Sequence, residues 1–279
     1  MKNPQGTENR IKMEEEKIIN GNCWVAYFDI LGFRKLMKNF PIWYVRDVLK
    51  QALDTGKRSN VKCKFIFFSD SFIFYTDNDS QEAFSCIEAT SALFFHEMFL
   101  GKEKIPMRGC LNVGRFCTDE ENRIFFGPAL IEAYDCAEGQ NWIGFVLSEK
   151  TREKLASVEF AGIKSGYKNR YREYDVPYNK EPKLRNLLAY NLNLLTTIGN
   201  AGQARSQQYE LWKALGYMKY VAQMLSTKKG NQSADIEKSS DYEEIITKYD
   251  NTEKYVFWLY PALKEMTEKQ NTNGNVKTL

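Results

Sequence analysis

Two aspartates stand where apolar, strand-like segments break into turns. Asp29 lies near the end of Cys23–Ile30 (CWVAYFDI), and Asp70 lies between Val61–Phe68 (VKCKFIFF) and Phe72–Thr76 (FIFYT). Only Ser69, Asp70 and Ser71 separate the last two segments, a spacing that predicts a tight hairpin. If the first strand is the antiparallel neighbour of the third, both carboxylates reach one edge of the sheet. Convergent carboxylates without histidine or thiol suit hard, oxygen-preferring cations. Two such ions about 3.5–4 Å apart can activate one oxygen and stabilise a leaving oxygen in phosphoryl transfer. Leu31-Gly32-Phe33 follows Asp29 directly and leads into a helical pattern. Backbone N–H groups at such a turn can hold phosphate oxygens, and Gly32 allows close approach. Taken singly, each aspartate is better explained as a cap or turn former. The shared edge is what makes the pair a candidate site.

The elements that must position this pair follow from periodicity. Arg34–Lys57 is helical in pattern, broken by Pro41. Asp79–Leu100 is an amphipathic helix closed by Gly101. Met107–Phe116 and Arg123–Phe126 read as strands about a turn at Thr118–Asn122, and Gly127-Pro128 opens a helix to about Glu138. Trp142–Leu147 is a strand, and Ser148 caps the next helix. The order is β-α-β-β-α-β and then β-α-β, so the expected fold class is α/β (α+β) with a ferredoxin-like βαββαβ core. Beyond Pro182, Leu184–Thr197, Arg205–Leu225 and Tyr242–Lys269 read as helical, with Thr227–Ser240 as a flexible link. The expected organisation is a polar arm over 1–21, an α/β domain over 22–180 and a helical extension over 181–279.

Composition narrows the chemistry. Of 279 residues, 43% are hydrophobic and 14% aromatic, enough for a sizeable core. The net charge of +3 gives no global reason to expect nucleic acid or a membrane as partner. One histidine, His96, and six cysteines without a CxxC pair argue against zinc and against Cys–His or Ser–His catalysis. Cysteines without a secretory signal or an apolar span predict a cytoplasmic protein. His96 sits in the Asp79–Leu100 pattern and reads as a packed or partly exposed helix residue. Phe65, Phe67, Phe68, Phe72 and Phe74 read as core. Tyr167, Tyr171, Tyr174 and Tyr178, interleaved with Lys168, Arg170 and Arg172, read as an exposed strand pair or a dimer contact.

These residues carry a resemblance. Phe28-Asp29-Ile30-Leu31-Gly32-Phe33 resembles the F-x-D-I-x-G-F segment of class III nucleotidyl cyclases, and Phe68-Ser69-Asp70-Ser71 resembles their second metal aspartate. Arg108-Gly109-Cys110-Leu111-Asn112-Val113-Gly114 is similar to their R-x-G-I-x-x-G strand. Phe125–Tyr134 (FFGPALIEAY) resembles the pyrimidine cyclases of bacterial antiphage (Pycsar) systems. The resemblance covers about residues 22–180. It implies Mg2+ or Mn2+, two ions held by Asp29, Asp70 and the Ile30 carbonyl. It also implies a nucleotide bound at Phe28, Gly32, Phe33 and Arg34, and a head-to-tail homodimer with shared sites.

The departures bear on substrate. Ile66 stands where purine cyclases carry a lysine, and Ile124 where they carry the purine-reading aspartate. Unpaired purine edges cost discrimination, which favours UTP or CTP. The family's helix asparagine falls on Ile131 and its arginine on Asp135. Arg34, Arg108, Arg115 and Arg123 are then candidates for meeting the transition-state charge; Arg108, with a surface salt bridge as the alternative, is grouped with Asp29 and Asp70 as catalytic. The implied function is a pyrimidine cyclase that makes a second messenger for a separate antiphage effector. The alternatives are a degenerate cyclase domain binding a nucleotide or protein partner, and a palm-type nucleotidyltransferase. The near-neutral charge opposes the last.

Overall fold

A computed structural model of the chain describes residues 18–59, 63–101, 104–163, 167–192, 210–220 and 240–272. The strands are β1 (Ile18–Ile30), β2 (Lys64–Phe68), β3 (Ser71–Tyr75), β4 (Met107–Asp119), β5 (Ile124–Phe126), β6 (Gly144–Leu147), β7 (Tyr171–Pro177) and β8 (Leu184–Tyr190). The helices of the first half are α1 (Phe33–Asn39), α2 (Ile42–Ser59), α3 (Gln81–Leu100) and α4 (Pro128–Gly139). They are followed by α5 (Glu149–Ala156), α6 (Tyr167–Arg170), α7 (residues 210–220), α8 (Ser240–Leu259) and α9 (Pro261–Thr272). Of the expected arm over 1–21, residues 18–21 are instead the start of β1, and 1–17 lie outside the described residues, as does most of the expected link at 227–240.

The sheet order is β2-β3-β1-β4-β6-β8-β7, with β5 paired to β4. Its first four strands are antiparallel neighbours in the order 2-3-1-4, the ferredoxin-like arrangement expected of βαββαβ. Pro41 separates α1 from α2, because an X-Pro junction disfavours continued helix. Ser80 and Ser148 cap α3 and α5 by accepting from the N–H of Ala83 and Thr151.

Alternation along β1 sorts its side chains between two faces. Trp24, Ala26, Phe28 and Ile30 enter the main core with Phe72 and Phe74 of β3 and Phe84, Phe94 and Phe95 of α3. The other face carries Cys23, Val25 and Tyr27, covered by α4 through Ala129, Ala133 and Ala137. Gly109 of β4 lies opposite Phe28, and a methyl there would overlap the Phe28 ring. That ring is fully buried among Phe74, Phe94 and Phe145, so it has nowhere to move.

Three expectations are corrected. Phe68, expected in the core, is exposed at the end of β2 beside the hairpin turn. The stretch from Leu184, expected as a helix to Thr197, is strand β8 through Tyr190, and residues 193–197 lie outside the described region. β8 pairs along its whole length with β7 and also with β6, and this two-sided ladder overrides the helix propensity of its leucines. The sheet therefore continues past residue 180, where the helical extension was expected to begin. The tyrosines are not an exposed face either. Tyr167, Tyr171 and Tyr178 are buried, and Tyr174 stacks on Trp142 at 5.6 Å. Helix α8 closes this end: Tyr255 donates to the carbonyl of Tyr190 at 2.9 Å, and Thr252 accepts from the N–H of Ile143 at 2.8 Å.

One buried charge pair ties α3 to the strand end of the fold. Glu88 of α3 has no exposed surface, and Arg170 grips both its oxygens, Nε to Oε1 at 2.9 Å. Arg170→Ala leaves that carboxylate uncompensated and is expected to cost about 3 kcal/mol. Chemical denaturation checks this. The Glu88→Leu/Arg170→Leu double variant should lose clearly less, because no buried charge remains.

Candidate active site at the edge of the sheet

The end of β1, the β2–β3 turn and the start of β4 meet at one edge. Asp29 pairs in register with Ser71 of β3 and with Arg108 of β4. The turn between Phe68 and Ser71 has two residues, with Ser69 left-handed at φ 59°. The N–H of Ile30 donates to the carbonyl of Asp70 at 3.2 Å, which stitches the turn to the end of β1. Asp29 and Asp70 are thus brought to the same edge, as the topology argument required.

Asp29 is held by Arg108. Nη2 donates to Asp29 Oδ2 at 3.3 Å and also to the Glu138 carboxylate. Nη1 donates to the carbonyls of Glu138 at 2.8 Å and Gln140 at 3.2 Å. The guanidinium therefore sits at the C-terminal end of α4, where the helix dipole favours a cation. Its side chain is 9% exposed and that of Asp29 14%, so this is a buried pair and not the surface salt bridge offered as the alternative.

Charge at this edge is unbalanced. Burial pushes the Asp29 carboxyl up to about 7; Arg108 opposes this, while Glu138 and Asp70 add to it. Asp29 and Glu138 share the Arg108 guanidinium, and Asp70 lies near enough to add its charge to the field at Asp29. Desolvation and like charges both disfavour the ionised form, and a bound divalent cation would reverse both effects. The oxygen donor set thus fits a hard cation. Among the described residues no cluster of three or more His, Cys, Asp and Glu is arranged to hold one. Two aspartates would need the Ile30 carbonyl and substrate oxygens to complete such a shell.

The other predicted site residues divide. Gly32 adopts φ 75°, a left-handed conformation that favours glycine, and nothing lies within 4 Å of the position a Cβ would take. Phe33 is half-buried against the core and Arg34 is exposed. Phe28 points into the aromatic core with no exposed surface, so only its backbone is left to meet a ligand. Ile66 is half-buried on the Asp29 face, opposite Ile73. Ile124 starts β5 opposite Asp119, eleven residues along β4 from Arg108, or about 35 Å of strand. His96 lies on α3, which covers the opposite face, and burial lowers its pKa to about 4. Glu138 and Gln140 were missed by sequence reasoning, since nothing local marks the end of α4 as a partner of β4. A cleft of about 730 Å³ beside the site is lined by residues that include Glu138, Asn112, Tyr178 and Arg185, but not by Asp29 or Asp70.

No family model matches the chain, and no curated protein is similar to it. Among solved structures, the chain is similar to the adenylyl cyclase CyaB from P. aeruginosa, at 14% identity and a TM-score of 0.40, over 62% of this chain and 94% of that one. It is also similar to the guanylate cyclase domain of RhGC from Catenaria anguillulae, solved with GTP, at 12% identity and a TM-score of 0.43, over 62% and 97%. A bacterial light-regulated adenylyl cyclase gives 10% identity and 0.45, over 74% and 68%. Similarity at this level carries no substrate and no residue role to this chain.

Arg108→Met removes the cation that offsets two carboxylates, and is expected to cost about 3 kcal/mol. Adding Asp29→Asn to that variant should return part of the loss, because the buried carboxylate is then neutral. Urea denaturation of both variants and of Asp29→Asn alone measures the coupling; additive losses would mean that the pair is not an energetic unit.

Proposed function

We propose that this chain is a nucleotide cyclase of the class III kind. In this reading it converts a pyrimidine nucleoside triphosphate, UTP ahead of CTP, to the 3′,5′-cyclic monophosphate and pyrophosphate. The observation that carries the reading is the carboxylate pair Asp29 and Asp70 at one sheet edge, short of positive charge. The 3′-oxygen attacks the α-phosphorus, its proton is lost, and the bond to the pyrophosphate oxygen breaks. Asp29 and Asp70 would hold two Mg2+ or Mn2+ ions with the Ile30 carbonyl. Such ions, when bound, acidify the hydroxyl and neutralise the triphosphate. The open space at Gly32 would admit phosphate oxygens to the backbone of Gly32, Phe33 and Arg34. Arg108 acts in this reading as a positioning residue: its Nη donors are engaged by Asp29, Glu138 and Gln140, and they fix the Asp29 carboxylate at the edge.

The same reading calls for a second copy of the chain. Ile124 lies about 35 Å of strand from the aspartates, so one protomer cannot bring both to one nucleotide. Ile124, Phe126, Ile131 and Tyr134, on β5 and α4, are exposed apolar residues suited to a homodimer contact. The product would serve as a second messenger for a separate antiphage effector, an extension that rests on the Pycsar resemblance alone. The competing reading is a degenerate, non-catalytic domain, favoured by Ile131 and Asp135 at positions where the family carries Asn and Arg.

Asp29→Asn and Asp70→Asn are each expected to lower cyclisation on the order of a hundredfold or more while melting close to the parent protein without metal. Arg108 keeps Glu138 and two carbonyls when Asp29 is neutral, so the fold should survive. Turnover at the parent rate in either variant sinks the two-metal assignment.

Competition among four nucleoside triphosphates at equal concentration with Mn2+, read by product mass, tests substrate. Unpaired purine edges against Ile66 and Ile124 should give roughly a hundredfold preference for UTP or CTP. Efficient cyclic AMP or cyclic GMP production overturns the pyrimidine assignment, and no product with any nucleotide favours the non-catalytic reading.

A further inference from the structure

Charge is not spread evenly over this protein. Residues 33–59 hold seven Lys or Arg and two Asp, so this segment alone is +5 where the whole chain is +3. The segment forms α1 and α2, joined at a corner by Phe40 and Pro41. At that corner three large apolar side chains face solvent: Met37 at 43%, Ile42 at 76% and Trp43 at 60% exposure. Arg34, Lys38, Arg46, Lys50 and Lys57 are exposed around and beyond them, with Asp47 and Asp54 as the exposed acids. Arg46 lies three residues after Trp43 and Lys50 seven, so all three share one stripe of α2. Asp47 is engaged by Arg46 at 2.9 Å, which leaves Lys38 and Lys50 to set the sign of the surface. The corner itself is stiff: Phe40 stacks on Tyr44 with centroids 4.7 Å apart.

We propose that the α1–α2 corner docks on an anionic lipid surface. An indole and two aliphatic side chains, ringed by long cationic ones, match the two requirements of an interfacial anchor. The apolar group enters the headgroup boundary, where tryptophan is favoured, and the cations meet lipid phosphates. The net charge of the whole chain conceals this, because the remainder is slightly acidic. Among the described residues no helix is long and apolar enough to span a bilayer, so the association is peripheral. It is reversible and weakened by salt. The start of α1 adjoins the backbone of Gly32, Phe33 and Arg34 that the cyclase reading gives to the phosphates, but Lys38, Ile42, Trp43, Arg46 and Lys50, which carry the docking, belong to no part of that site.

Co-sedimentation of the full chain with vesicles tests it. The protein is expected to pellet with phosphatidylcholine vesicles containing phosphatidylglycerol, to stay in solution with phosphatidylcholine alone, and to be released by high salt. Ile42→Ser/Trp43→Ser and, separately, Lys38→Gln/Arg46→Gln/Lys50→Gln should each weaken binding about tenfold or more. All five side chains are exposed, so circular dichroism of both variants should match the parent. Failure to bind anionic vesicles, equal binding to neutral ones, or parent-like binding by both variants overturns the proposal. So does loss of a dimer in the Ile42→Ser/Trp43→Ser variant by light scattering, since the corner would then be covered by a second copy of the chain.

Discussion

The position of every group at the candidate site depends on the phase of β1. This 13-residue strand is paired on both sides, to β3 and to β4. Its even-numbered residues from Trp24 to Ile30 are locked into an aromatic core, and its odd-numbered ones face α4. A slip of one residue would send Phe28 to the α4 face and Asp29 into the core. The register is fixed less by Asp29 than by the Phe28 ring, which fills the space left by Gly109 across the ladder. A core contact thereby sets the position of a polar group that it does not touch.

That arrangement has an electrostatic consequence. The phase that places Asp29 on the α4 face also brings it to Arg108, and α4 ends where its carbonyls can receive the same guanidinium. The arginine compensates Asp29, Glu138 and the helix terminus together. Its single charge is shared between two carboxylates, so burial, with Glu138 and Asp70 nearby, keeps Asp29 raised. The contacts that hold this edge together are therefore also the ones that leave Asp29 short of positive charge. The proposed cyclase site rests on this gathering of polar groups at a cost to local stability.

The rest of the fold isolates that edge. Helices α2 and α3 cover the other face of the sheet, and the Glu88–Arg170 pair ties α3 to the β7 end. Among the exposed apolar residues, one group lies on β5 and α4 and another at the α1–α2 corner. They differ in surroundings: Glu132 and Asp135 interleave with Ile131 and Tyr134 on α4, whereas basic side chains surround Ile42 and Trp43. Each is accordingly suited to a different kind of partner.

Much of this was determined by local sequence. Two aromatic segments separated by Ser-Asp-Ser could close only as a hairpin, Pro41 had to divide α1 from α2, and Ser148 had to begin a helix. From these elements came the βαββαβ order, and with it the meeting of Asp29 and Asp70. The charge excess of residues 33–59 was also present in the chain, but the exposure of Trp43 was not, because an apolar residue at a helix start reads as core until its neighbours are known. Tertiary structure alone decided that Leu184–Tyr190 is a strand, since its helix-forming residues are overruled by ladders on both sides. It also decided that Arg108 is buried against Asp29, 79 residues away, and Glu88 against Arg170, 82 residues away. Such pairs leave no local trace: periodicity and capping act over a few residues, whereas the partner of a buried charge is chosen by the strand and helix packing that removes it from water.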